Sequence, residues 1–489
     1  MDNKVKRNYL FNLAFQILNI IAPLITMPYV SRVLSASGVG EYSYTYSIVS
    51  YFLIFASLGT SLYGCREIAR SANQKHEKSI VFFEIFSIRI TSSIIVILAY
   101  ISFVFAAGFS GIEKNLLLIN TLYLLATALD ISWLFQGEET FSTITVYSFI
   151  TKVITVIAVF VLVKSENDIV IYVLIHAGLA LVNSIFYYFR LNSRIERVNF
   201  KELKVTRHLM PVFILLIPQV SKEIYCVLDK TMIGALYNDR ALNGYYEQAV
   251  NIVSMSMTVV TSMNIVKMSN LSHDQATDTG KKLIFEKMES SFHFIWFVGL
   301  PVCCGIVSVI DLFVPFFFGT GYDPVITIVY LLVPEIMIIG VSNAIGIQYL
   351  ITLKRHKEFN TSIILGLFSN AILNWILIPK FNVYGAAVAT VISEMVVTIT
   401  QLIFVHKDFK LSIIFPKETF KRCIASASMF IILFFLKKIL AQFGIFYFVQ
   451  IGIIVVTGVI IYVVCEILLR DSMMSSICKL IKEKIAGRR

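Results

Sequence analysis

About fourteen long apolar stretches run through this chain, and lysine and arginine crowd into every second gap between them. An α-helix needs about 20 apolar residues to cross a hydrocarbon layer of about 30 Å, and within that layer only helices and closed barrels satisfy their own backbone. Barrel strands would alternate polar and apolar residues, and these stretches do not. With 57% hydrophobic and 15% charged residues in 489, and a mean hydropathy of +0.78, a soluble core under a polar surface is excluded. The expected fold class is an all-α polytopic membrane protein.

The spans are expected at 9–31, 41–62, 79–107, 115–136, 143–163, 169–189, 209–235, 242–267, 288–318, 324–353, 359–379, 384–406, 418–440 and 446–469. The first follows Lys4, Lys6 and Arg7 but exceeds twenty residues, contains Pro23 and Pro28, and lacks a small-residue cleavage site. It reads as a retained helix, not a signal peptide.

Lys and Arg near span ends accumulate on the cytoplasmic side. Thirty of the 42 basic residues fall in one set of ends and gaps, from Lys4 to the Arg488–Arg489 tail, and seven in the complementary set. Both termini are therefore expected in the cytoplasm, with an even number of helices. The net charge of +11 is topological on this reading. It suits contact with anionic lipid, and no basic stripe on a soluble fold points to nucleic acid.

The loops are short, so chemistry has to reside inside the membrane. Seven cysteines show neither CxxC spacing nor a pairing pattern, and seven histidines include no HExxH. No stretch matches GxxxxGK[ST]. Neither an enzyme active site, a metal nor a cofactor is expected; the work must draw on partners or on a proton or sodium gradient.

Five basic residues remain inside spans: Arg89, Lys152, Lys222, Lys230 and Lys267. Each costs at least about 2.5 kcal/mol at the centre of a lipid-facing helix, which implies a polar interior. Arg89 sits about ten residues, roughly 15 Å, into its span, and Lys152 is similarly central. Acidic residues accompany them: Asp130, Glu335 and Glu394 lie deep, whereas Glu84, Glu247 and Asp311 sit near span ends. Glu223 adjoins Lys222 and Asp229 adjoins Lys230; neighbours on a helix point about 100° apart, so these serve either as helix pairs or as ion sites. A cationic cavity suits an anionic headgroup, since Arg forks its hydrogen bonds to phosphate and Lys adds a point charge.

The chain also repeats: GEYSYTYSIVS at 40–50 and GYYEQAVNIVS at 244–254 share Gly, Tyr and a closing Ile-Val-Ser. Both open even-numbered spans, as parallel repeats about an axis along the membrane normal would. The expected organisation is an N-terminal lobe at 1–208 with helices 1–6, a C-terminal lobe at 209–406 with helices 7–12, and helices 13–14 with a basic tail at 407–489.

NIIAPLITMPYVSRVLSASGVGEYSYTYSIVSYF followed by LGTSLYGCREIAR resembles the opening of Wzx-type polysaccharide-biosynthesis flippases, a branch of the multidrug, oligosaccharidyl-lipid and polysaccharide exporter superfamily. DKTMIGALYNDRALNGYYEQA is similar to the start of their second lobe, and NAILNWILIPKFNVYGAAVATVISE to their eleventh and twelfth helices. The resemblance covers nearly the whole chain. It implies two six-helix lobes around a cavity that moves an undecaprenyl-pyrophosphate-linked oligosaccharide by alternating access, for O-antigen, lipopolysaccharide or capsule. It also implies membrane lipids, a polysaccharide polymerase and a chain-length regulator as partners. Arg32, in the matching PYVSRVL, carries over as a cavity or gate residue; an outer-face helix cap is the alternative.

The expected headgroup ligands are thus Arg32, Arg89, Lys152, Lys222 and Lys230. Asp130, Glu223, Asp229, Glu335 and Glu394 are expected in ion coupling or helix pairing. Competing readings are a drug or cation antiporter of the same superfamily, a membrane polysaccharide polymerase or ligase, and a scaffold. A cation carrier would need a net acidic cavity, a polymerase or ligase a large outside loop, and a scaffold would have no use for midplane Arg and Lys.

Overall fold

The computed structural model describes residues 3–71, 74–268, 278–408 and 411–486. The described residues are helical apart from short turns and linkers and contain no strand. The helices are α1 (Asn3–Ser57), α2 (Thr60–Arg70), α3 (Lys75–Ala106), α4 (Gly111–Leu129), α5 (Ser132–Gly137), α6 (Phe141–Leu162), α7 (Ile169–Phe186) and α8 (Thr206–Leu236). They continue as α9 (Arg240–Met268), α10 (Asp278–Phe318), α11 (Asp323–Asn343), α12 (His356–Val405), α13 (Leu411–Ile414), α14 (Thr419–Gln442), α15 (Tyr447–Leu468) and α16 (Ser472–Ala486).

Among the described residues, ten helices are long and apolar enough to cross a membrane, eleven with the bent α8. Two of them, α1 and α12, run 55 and 50 residues, about twice the length a bilayer needs. Counting each of these as two spans and adding α9 gives the expected fourteen.

The sequence places loops at 32–40 and 380–383, where the structure has none. Each long helix breaks at a single residue, Ser35 (φ 59°, ψ 178°) and Asn382 (φ 46°, ψ −131°). Positive φ is costly for most side chains and least so for short polar ones, so one residue replaces a loop.

The chain forms two compact units, Met1–Gly244 and Tyr245–Arg489. In the first, α1 packs with α3, α4, α6 and α8, and α4 lies along α7. Three apolar clusters hold it together: Phe82, Trp133 and Tyr187; Val30, Val159 and Val173; and Val49, Tyr100 and Leu117. Between helices in lipid such packing carries the association, because tails are as apolar as the side chains. In the second unit, α10 packs on α11, α14 and α15, and Met429, Leu433, Ile454 and Tyr462 fill the seam of the last two spans.

The glycines that open the two repeat motifs meet within the first unit. A Cβ on Gly40 would stand 1.7 Å from the Arg240 carbonyl oxygen, and one on Gly244 would stand 2.0 Å from that of Ala36. Only glycine allows backbones to cross this closely. Arg240 closes the same corner: its guanidinium lies over Tyr44 at 4.1 Å, 3.0 Å from Glu113 and 3.8 Å from Glu41.

Several charges of the more basic set are paired. Between α7 and α8 the linker is laced to α3. His76 meets Glu196 at 2.9 Å and Glu202 at 3.1 Å, and Glu138 binds Lys78 at 2.6 Å and Arg194 at 3.3 Å. Glu84, fully buried, accepts from Arg207 at 2.5 Å, lies 2.7 Å from His208 Nε2, and takes the Lys204 N–H. Arg355 binds Glu358 at 2.8 Å and Asp408, and these hydrogen bonds, Glu358 first, hold its guanidinium above the usual arginine range. It stays charged at every physiological pH.

Candidate functional site

Arg89 lies on α3 and is 2% exposed. Its Nε donates to the Thr127 carbonyl at 2.6 Å, Nη1 to Ser61 at 3.0 Å and Thr60 at 3.2 Å, and Nη2 to Asp130 at 3.1 Å. The other Asp130 oxygen accepts the Ser132 N–H at 2.9 Å, where α4 ends and α5 begins. One guanidinium therefore ties α2, α3 and the α4–α5 joint together. The structure brings Arg89 and Asp130 into one contact, and spends most of the guanidinium's donors on the protein itself.

Lys152 differs. It is half-buried on α6, within electrostatic range of His176 on α7. Its neighbour Thr151 is buried and lies 3.4 Å from the Asn183 side-chain oxygen.

Four more of the sequence-expected residues share α8. Lys222 is exposed, Glu223 and Lys230 are half-buried, and Asp229 is 6% exposed. Residues seven apart fall on one helix face, so Lys222 stacks above Asp229 and Glu223 above Lys230. α8 is docked on α1 by a hydroxyl chain: Tyr51 donates to Thr231 at 3.0 Å, and Thr231 to Ser47 at 3.0 Å. The Lys230 carbonyl accepts from Asn243 at 2.7 Å.

Arg32 is exposed on α1, three residues before the Ser35 break. Glu335 is half-buried on α11, and Glu394 is 8% exposed on α12, in the second unit. The side chain of Lys267 lies outside the described residues.

The structure adds a group of residues that charge counting passed over. Tyr42 and Tyr46 of α1 stack with centroids 5.7 Å apart, Tyr172 of α7 meets Tyr42 edge-on at 5.2 Å, and Tyr123 of α4 meets Tyr46 edge-on at 5.2 Å. The Tyr42 and Tyr123 hydroxyls lie 3.3 Å apart, and His176 packs on Tyr172 at 4.6 Å. Their signal in the sequence is i, i+4 spacing, Tyr42/Tyr46 and Tyr172/His176, which sets each pair on one helix face.

The second unit carries an apolar cavity of about 460 Å³ walled by Phe297, Pro301 and Val309 of α10, Leu433 of α14, and Ile454 and Val459 of α15. At one end of it, Arg422 is fully buried against Asp471 at 2.9 Å and donates to the His293 carbonyl at 2.9 Å. Asp471 in turn caps the α16 N-terminus, accepting from Met473 at 2.8 Å and Met474 at 3.1 Å.

Among known proteins, the family described as polysaccharide biosynthesis protein matches residues 5–266. Over 408 residues the chain is 22% identical to an Escherichia coli K12 protein named "Putative O-antigen transporter", covering 83% of this chain and 97% of that one. It is 22% identical over 417 residues to the capsular polysaccharide biosynthesis protein CapF of Staphylococcus aureus, covering 82% and 99%. Its fold is similar to that of the lipid II flippase MurJ in an inward closed conformation, with a TM-score of 0.73, 18% identity, and coverage of 95% of this chain and all of that one.

Proposed function

This chain belongs to the polysaccharide biosynthesis protein family, and we propose on that footing that it is a non-enzymatic flippase. Its substrate is an undecaprenyl-pyrophosphate-linked oligosaccharide repeat unit, carried by alternating access across a bacterial cytoplasmic membrane for O-antigen or capsule. Both termini face the cytoplasm on this reading, which the charge bias of the loops supports.

The observation that carries this reading is the half-exposed state of the mid-span lysines. Lys222 lies sixteen residues past the start of the 31-residue α8 and is exposed, while Lys152 and Lys230 are half-buried. A lysine facing lipid at that depth costs at least about 2.5 kcal/mol, which supports placing these ammonium groups toward a wet cavity. A pyrophosphate offers them compensating charge. Arg89 holds the wall and leaves ligand contact to the lysines and to Arg32. Asp229, a buried carboxylate of α8, is the one this reading gives to ion coupling. The apolar cavity of α10, α14 and α15 offers a dry surface for a prenyl chain.

Proteoliposomes loaded with a fluorescent lipid-linked repeat unit test the proposal. Wild-type protein moves the label between leaflets, and Lys152→Ala or Lys222→Ala slows it at least tenfold with expression intact. Export of cationic dyes without flipping would overturn it in favour of a drug or cation antiporter.

A further inference from the structure

Five ring side chains of the first unit, Tyr42, Tyr46, Tyr123, Tyr172 and His176, gather where α1, α4 and α7 meet, and Lys152 of α6 stands beside them. We infer that this cluster is a glycan-binding subsite, in which tyrosine faces stack on a sugar ring while phenol and imidazole edges bond its hydroxyls. The inference rests on the flippase reading and deepens it by giving the oligosaccharide its own contacts beside those of the pyrophosphate.

The rings border two apolar clusters, Tyr42 and Tyr172 one and Tyr46 and Tyr123 the other, without being sealed into either. All five rings are partly exposed, whereas the aliphatic neighbours Leu124, Val173 and Ala177 are fully buried. His176 Nε2 is enclosed without a hydrogen-bond partner. On α4, one turn before Tyr123, Asn120 is fully buried with neither its oxygen nor its nitrogen bonded. Buried polar atoms are almost always paired, so orphans on two adjoining helices mark a place where a polar guest completes the bonding.

The chemistry of the guest follows from the residues. A pyranose is amphipathic in the same sense as tyrosine: one face of C–H groups, and an edge of hydroxyls that donate and accept. Phenol hydroxyls and an imidazole also do both. Lys152 beside His176 opposes a second positive charge, so a metal or organic cation is a poor fit. An uncharged polyol meets no such penalty. Lys152 at the edge of the cluster puts the pyrophosphate end and the sugar end of one ligand side by side.

The test compares two probes on purified protein in lipid nanodiscs: undecaprenyl pyrophosphate, and the undecaprenyl-pyrophosphate-linked repeat unit extracted from the source cells. Wild-type protein should bind the glycosylated lipid about tenfold more tightly than the bare carrier. Tyr172→Ala and Tyr42→Ala should remove that difference and leave carrier affinity unchanged, while Tyr172→Phe, which keeps the ring, should retain most of it. Equal weakening of both probes, or no change in either, would overturn the subsite while leaving the flippase reading standing. Failure of wild-type protein to bind either lipid would overturn both.

Discussion

Gly40 and Gly244 lie back to back, one at the start of each repeat motif, so closely that a Cβ on Gly40 would come 2.9 Å from the Gly244 nitrogen. The relation is reciprocal. Gly40 faces Arg240, four residues before Gly244, and Gly244 faces Ala36, four residues before Gly40. Two helix starts related by sequence thus cross each other with the same register.

A side chain at either glycine has only backbone to push against. Gly40→Val and Gly244→Val should each destabilise the protein by about 3 kcal/mol or more, the upper end for overpacking. The check is thermal unfolding in detergent, with Gly38→Ala as the comparison: its nearest obstacle, at 2.9 Å, is a Leu34 side-chain atom on its own helix, so its loss should be smaller.

Replacing Arg89 separates a structural cation from a ligand-binding one. Arg89→Ala should lower stability by about 2–3 kcal/mol, less than a fully buried pair because the Asp130 side chain is 24% exposed. Arg89→Lys should restore less than half, since one ammonium cannot reach acceptors on α2, on α4 and at the α4–α5 joint together. Lys152→Ala should leave the melting temperature within about 1 °C while abolishing transport; equal losses of stability for both would contradict the division.

The linker knot has a buried end and an exposed end, and they should behave differently. A double-mutant cycle between Glu84 and His208, whose side chains are 0% and 3% exposed, should show coupling above about 1 kcal/mol. The cycle between His76 and Glu196, 58% and 39% exposed, should stay below about 0.5 kcal/mol. Glu84→Ala should also speed proteolysis within residues 187–205, read by gel.

Asp471 does two jobs that substitution can divide. Asp471→Ala removes both the partner of buried Arg422 and the cap of α16, and should cost about 3–5 kcal/mol. Asp471→Asn keeps a capping oxygen but not the charge. Hydrogen exchange should then show residues 472–486 still protected while the whole protein melts earlier.

The membrane class, the fourteen spans and the mid-span cations could all be read from the sequence, because hydropathy and charge are local quantities. Partners were not. Arg89 stood out as a charge without an opposite within a turn of its helix, yet Asp130 is 41 residues away and is reached only when α3 packs on the α4–α5 joint. Glu84 read as a bland end-of-span acid, and tertiary packing makes it a fully buried anchor for the linker. The tyrosine cluster escaped because each ring alone looks like ordinary apolar filling; its meaning comes from rings on three helices meeting.

The breaks in α1 and α12 matter mechanically. A loop of several residues has slack and absorbs displacement, but Ser35 and Asn382 each join two rigid rods through one pair of torsions. Such a joint has no play. A rotation of the first half of α1 is handed to the second half as torque, about an axis that a single serine defines.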